Sequence, residues 1–291
     1  MTARTPLSAI ALVGPVQLMV GGIIFLPAIY VFWLSLNQSS FGQAASFVGL
    51  ANYAKVLSDP YFWRALVNTV IVVAVVVHLE LLLGLLMALF FASGVPCRAF
   101  LLAIVLAPYA VSEVSAVVMW RYLFEPDVGM MSQMLSFFGL PPIEWAVKPS
   151  HGLFMVSLLS IWLHLPFSFI IIYAARLSIP SDLYEAGAID GASSWTAFRR
   201  ITLPLLMPAL LIAALFRYIF AFRLFSEVWL MTGGGPARTT EVLAVYLYLE
   251  AFRYNAFGSA AATGWLLVLA SLLLALFYLR RLYREMFGKH V

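Results

Sequence analysis

Ionisable side chains are scarce in this sequence, and a few of them fall inside its apolar runs. Those few are His78 with Glu80, then Glu113, and then Arg217, Arg223 and Glu227. A charge within a membrane span is costly, so it faces a partner, a watery cavity or a substrate. At ~100° per residue, Arg217, Phe220, Leu224 and Glu227 share one helical face, with Arg223 at its edge. Arg217 and Arg223 are therefore candidate substrate ligands. Packing offers a competing use: Arg223 and Glu227, one turn apart, can pair with each other, and Glu113 is a candidate counter-charge for Arg217. His78 and Glu80 point to different sides of their helix. A second stripe, Ser160, Leu163, His164 and Phe167, lies within roughly a third of a helical circumference.

Catalytic chemistry finds no footing. The nearest approach to a phosphate-cradling loop, Gly288-Lys289-His290, lacks the upstream glycine spacing and the Ser/Thr that the loop needs. His78, His151, His164 and His290 are scattered over different segments, with no Ser/His/Asp set, paired carboxylates or metal-ligating cluster. The expectation is a non-catalytic chain without a cofactor or metal of its own. Cys97 is the sole cysteine, so no internal disulfide can form.

The elements that position these residues follow from composition. The chain is 64% hydrophobic and 10% charged, against about 45–50% and 25% for soluble domains. Long continuous apolar runs exclude the ~10-residue alternation of a β-barrel. Six runs reach the ~20 residues that cross a bilayer, over approximately 11–36, 64–91, 99–123, 153–175, 204–230 and 256–279. The reading is an all-α polytopic membrane protein forming one domain over 1–291. The first run is too long for a signal-peptide core and is expected to be retained. Pro15, Pro27, Pro108 and Pro166 fall inside runs, where neighbours can satisfy the freed carbonyls.

Orientation comes from Lys and Arg. With the N-terminus cytoplasmic, the inner side holds Arg4, Arg98, Arg176, Arg199, Arg200, Arg280, Arg281, Arg284 and Lys289. The outer side holds Lys55, Arg64, Arg121, Lys148, Arg238 and Arg253. The inner loops are also the shorter. Both termini are then cytoplasmic, and the net charge of +4 reports loop placement and not nucleic-acid binding.

The polar interval Ser181–Pro208 stands apart from the other loops. Ser181 can cap a short helix holding Asp182 and Glu185 in its first turn. Gly191 can turn the chain with positive φ. Ser193 or Ser194 can cap a second short helix ending in Arg199 and Arg200, before Pro204 and Pro208 open the next run. The residues Glu185-Ala186-Gly187, Asp190-Gly191 and Ile201-x-Leu203-Pro204 keep the spacing E-A-x-x-x-x-G-x(9)-I-x-L-P. This resembles the EAA loop of the membrane subunits of binding-protein-dependent ABC importers. It departs at Gly187, where a second alanine is usual. Phe47-Val48-Gly49-Leu50-Ala51-Asn52-Tyr53 and the stretch from Thr232-Gly233-Gly234-Gly235-Pro236 to Phe252 resemble the maltose-type, carbohydrate-importing branch. By itself Gly-Gly-Gly-Pro reads as a flexible turn.

The resemblance implies the type I importer permease fold, with a cytoplasmic coupling loop made by Glu185, Ala186, Gly187, Asp190, Gly191, Ile201, Leu203 and Pro204. Carried over from maltose-type permeases by the two flanking motifs, the sugar-contact positions are Ser160, Leu163, His164 and Phe167, then Phe220 and Leu224. It also implies a second homologous permease, two copies of a cytoplasmic ATPase that bind ATP and Mg, an outer solute-binding protein, and residence in a bacterial inner membrane. The implied solute is a carbohydrate or polyol. Arg217 and Arg223 leave room for an anionic derivative such as a glycerol phosphate or a sulfonated sugar. A more distant alternative is an ion-coupled secondary transporter.

Overall fold

The computed structural model describes residues 7–287, with side chains described over 13–284. Arg4, Lys289 and the Gly288-Lys289-His290 fragment lie outside the described residues. Two compact units make up the chain, residues 1–60 with 247–267, and residues 61–246 with 268–291.

In chain order the helices are α1 (Leu7–Ser35), α2 (Ala51–Ser58), α3 (Pro60–Ala92), α4 (Arg98–Leu106), α5 (Glu113–Leu123), α6 (Met130–Phe137) and α7 (Pro149–Leu177). They continue with α8 (Asp182–Ile189), α9 (Ser194–Ala197), α10 (Leu203–Ala221), α11 (Ser226–Thr232), α12 (Leu243–Tyr248) and α13 (Phe257–Phe287). Among the described residues, five helices are long and apolar enough to cross a membrane: Val13–Ser35, Pro60–Ala92, Pro149–Leu177, Ser194–Ala221 and Phe257–Arg284. A sixth crossing arises when Arg98–Ala110 and Glu113–Leu123 count as one bent segment.

That bend divides the run expected to cross over 99–123 into two helices. The two pieces meet at 101°. Pro108 has no N–H for the carbonyl four residues back. The backbone tightens into a 3-10 turn over Ala107–Ala110, and Ser112 is extended (φ −61°, ψ 136°). The fifth run differs as well. Instead of continuing to 230, α10 ends at Ala221, and Phe225 takes φ −132°, ψ −59° before α11 begins. In between, Arg223 N–H donates to Phe220 O and Leu224 N–H to Ala221 O, the three-residue reach of a tightening last turn.

In the first unit, α1 runs into a minimal antiparallel pair, β1 (Asn37–Gln38) with β2 (Ser46–Phe47), in the register Asn37 to Phe47. The Phe47–Tyr53 stretch closes it. Asn52 Nδ2 donates to Ser35 O and to Asn37 O, both at 2.9 Å, and Tyr53 Oη meets Ser35 Oγ at 2.8 Å. In the second unit, α3, α7 and α10 form the core. Phe91, Phe169, Ile172, Tyr173 and Leu206 pack together at one end, and Val73, Val77, Ala214 and Tyr218 at the other.

Candidate functional site

A cavity of about 460 Å³ opens between the two broken segments of the second unit. The bend contributes Pro108, Tyr109, Val111 and Glu113, the end of α10 contributes Phe220 and Ala221, and the break after it leads through Arg223, Leu224 and Phe225 to Ser226 and Glu227. The wall of α7 supplies Ser160, Leu163, His164 and Phe167. All eight positions singled out in the sequence, these four with Arg217, Phe220, Arg223 and Leu224, line this one space. Sequence reasoning missed Pro108, Tyr109 and Val111 as lining residues. The signal was Pro108, a helix breaker inside an apolar run. Phe225 and Ser226 carried no such signal.

Aromatic rings cover one side. Phe167 meets Phe220 edge-on at 6.2 Å and lies against Tyr109 at 6.5 Å, and Phe220 stacks on Phe216. Such rings offer apolar faces to C–H groups, with hydrogen-bonding groups set beside them.

The charges are arranged differently from the helical-wheel expectation. Arg217, 3% exposed, forms a two-point ion pair with Glu80, which is fully buried on α3. Its Nε donates to one carboxylate oxygen and its Nη2 to the other at 2.8 Å. Glu113 is therefore not its counter-charge. His78 faces away from Glu80 and is exposed, with Nδ1 near Ala74 O and Tyr218 Oη. Glu227 is also 3% exposed, and His164 Nε2 lies 3.3 Å from its carboxylate. The Arg223–Glu227 pair is absent because no continuous helix joins the two residues, so the one-turn spacing is lost. Arg223 and Glu113 are exposed, and neither has an ion-pair partner among the described residues.

The second polar region is a two-helix knob. Gly191 takes φ +75° between α8 and α9. Ser193 Oγ accepts from Thr196 N–H, as a cap should. Ser181 makes no such side-chain cap, because its own backbone is already helical (φ −61°, ψ −34°). Arg199 and Arg200 do not end a helix either. They sit in a π turn, Phe198–Thr202, that runs directly into α10. Tyr184 Oη bonds Thr202 Oγ1 at 2.9 Å, and Arg176 covers the Tyr184 ring. A methyl group on Gly187 would come within 3.2 Å of Ile201 Cδ1. Glycine at this position thus suits a close approach of α8 to the Ile201–Pro204 segment. Ile189 and Trp195 project outward, 87% and 68% exposed.

A family model described as "Binding-protein-dependent transport system inner membrane component" matches residues 80–286, from the buried carboxylate of α3 through the last helix. The chain belongs to this family. It is a membrane permease of the ABC type, a non-catalytic subunit. Among curated relatives, the permease is 38% identical over 236 residues to the trehalose/maltose transport system permease protein MalF of Thermococcus litoralis, covering 81% of this chain and 79% of that one. It is 35% identical over 251 residues to the diacetylchitobiose uptake system permease protein DasB of Streptomyces coelicolor, covering 84% and 76%. Among solved structures, a chain of a bacterial ABC transporter that imports the acidic polysaccharide alginate superposes with a TM-score of 0.82 at 24% identity, over 94% of each chain. That likeness establishes a shared permease fold.

In this permease the Thr232–Pro236 stretch is fastened, against the expectation of a flexible turn. Thr232 Oγ1 and Thr240 Oγ1 bond at 2.8 Å, and Thr240 Oγ1 donates to Gly235 O. Arg238 pairs with buried Glu241 through Nε and Nη2 and lies 4.0 Å over the Tyr61 ring. Asn68 Nδ2 on α3 donates to Thr239 O and Glu241 O, both at 2.8 Å, while Leu243 N–H donates to Thr69 Oγ1.

Proposed function

We propose that this permease forms half of the pathway of an ATP-driven importer that carries a carbohydrate or related polyol inward from an extracytoplasmic binding protein. One observation supports this most. Two stripes on different segments, chosen by their distance from two separate motifs, line the same cavity, with aromatic faces beside hydrogen-bonding groups. The named sugars of the trehalose/maltose and diacetylchitobiose relatives favour the same solute class. A second, homologous permease completes the pathway, and two copies of an ATPase bind ATP and Mg and drive it.

The knob formed by Glu185, Ala186, Gly187, Asp190, Gly191, Ile201, Leu203 and Pro204 is the proposed docking element for that ATPase. Exposed Ile189 and Trp195 give it apolar contacts to offer. Six crossings within one domain over 1–291 put both termini and the knob in the cytoplasm, as the Lys/Arg distribution favours.

Vesicles containing the complete importer test the reading. Uptake of the sugar carried by the cognate binding protein should stop when ATP is removed and the proton gradient kept. Uptake that follows the gradient instead would refute it in favour of an ion-coupled transporter. For orientation, a cysteine at Ser150 or Ala237 should react with an impermeant reagent from outside, and one at Ser194 only from the cytoplasmic side.

A further inference from the structure

We infer that the cavity selects electrically neutral, polyhydroxylated solutes, and that Glu113 is the residue that turns acidic ones away. The inference rests on the cavity being the solute path, as proposed above. Its basis is an account of the charges. Arg217 would be the natural anchor for an acidic solute, yet its guanidinium is buried and both donors reaching Glu80 are committed. Its charge is cancelled on the spot. Glu227 is held by His164, and whether that ring is neutral or protonated, the couple contributes no net positive charge. Arg223 and Glu113 remain, one cation and one anion, both exposed and both lining the cavity. No surplus of positive charge is left for an anion.

The same two groups suit a neutral sugar. Guanidinium is a donor only and carboxylate an acceptor only, whereas a hydroxyl does both. Arg223 and Glu113 can therefore each bind hydroxyls while Phe167 and Phe220 take the C–H faces. Arg223 alone would invite acidic solutes. Glu113 counters it, and the repulsion of like charges excludes the wrong solute as effectively as attraction selects the right one. Glu113 owes its place to the Pro108 bend, which starts α5 at the cavity edge.

The test needs no knowledge of the solute. In the purified complete importer, Cys97→Ser removes the native thiol and Val111→Cys places one in the cavity wall. Its reaction rates are measured with a neutral (hydroxyethyl) and an anionic (sulfonatoethyl) methanethiosulfonate, and their ratio is divided by that for a free thiol. Effects on the thiol itself cancel in the ratio. With Arg223 and Glu113 balancing each other, the anionic reagent should gain no advantage over the free-thiol ratio. Glu113→Gln, which leaves Arg223 unopposed, should raise the ratio in favour of the anionic reagent about tenfold, while Glu113→Asp, which keeps the charge, should leave it unchanged. A parent ratio that favours the anionic reagent, or one that Glu113→Gln fails to move, overturns the inference. No reaction with the neutral reagent would instead show that solutes do not reach the cavity, and then the transport-path reading fails first and this inference with it.

Discussion

The cavity and the knob are the two polar regions of an apolar chain, and they handle their polar groups in opposite ways. The cavity buries Arg217, Glu80 and Glu227 and pairs each of them, leaving two charges open. On the knob the acids Asp182, Glu185 and Asp190 are exposed, and the shape is held by a glycine turn, one cap and the Tyr184–Thr202 bond. Charges in the cavity thus bear on folding as well as on the proposed solute path. On the knob, substitutions can act on the proposed coupling while the fold persists.

Five substitutions would break or sharpen that contrast. The largest effect should come from Glu80→Gln. It strands a buried guanidinium, and breaking such a pair costs about 3–5 kcal/mol. Purified yield and thermal midpoint should both fall, and replacing Arg217 by Met in the same chain should restore most of the loss. If Glu80→Gln alone matches the parent in stability, the pair does not pin α3 to α10. Next comes the knob. Gly191→Asp imposes a side chain at φ +75°, and Glu185→Lys reverses a charge. Uptake should drop to background in both, with insertion and thermal midpoint near normal. Uptake at the parent rate would remove the coupling assignment.

Tyr184→Phe deletes one hydroxyl bond worth about 1 kcal/mol. It should lower uptake by a few-fold without changing the solute concentration for half-maximal rate, since no cavity group is touched. The smallest effect belongs to an exposed pair outside both regions. The hydrogen bond and charge of Lys148, 2.5 Å away, hold the Glu144 carboxyl below its ordinary 4.5. Its stabilisation is therefore present above pH 4.5 and lost as pH falls through the lower folded-state value. Lys148→Met should bring the NMR titration midpoint of Glu144 back towards 4.5, with almost no change in thermal midpoint, because exposed pairs contribute little.

The knob was legible because its signals are local. Gly191, Ser193 and the proline at 204 act within a few residues of themselves, so spacing alone carries the shape. The cavity was only half legible. Helical periodicity placed Ser160, Leu163, His164 and Phe167 on one wall, since α7 continues past Pro166 without a break. It failed beyond Ala221, where the sequence Phe222-Arg223-Leu224-Phe225 holds no Gly or Pro to announce a stop. The partner of Arg217 was hidden for another reason. Glu80 is 137 positions away, and pairing at that separation is decided by packing of α3 on α10. Gly-Gly-Gly-Pro misled in the opposite sense, because its restraints come from Thr240 and Asn68 outside the motif.

The clasp on Asn68 and Thr69 has a mechanical consequence. The fifth segment is severed between Ala221 and Ser226, so on its own it would transmit little force along its length. Beside it α3 is unbroken, fastened above the gap to the Thr239–Leu243 strand of chain and below it, through Glu80, to Arg217. The two fastenings are twelve residues apart, about 18 Å of helix at 1.5 Å per residue. α3 therefore acts as a splint. Asn68 and Glu80 thus tie α3 to the chain on both sides of the break, so a displacement on one side loads the other through this rod and not through the interrupted helix.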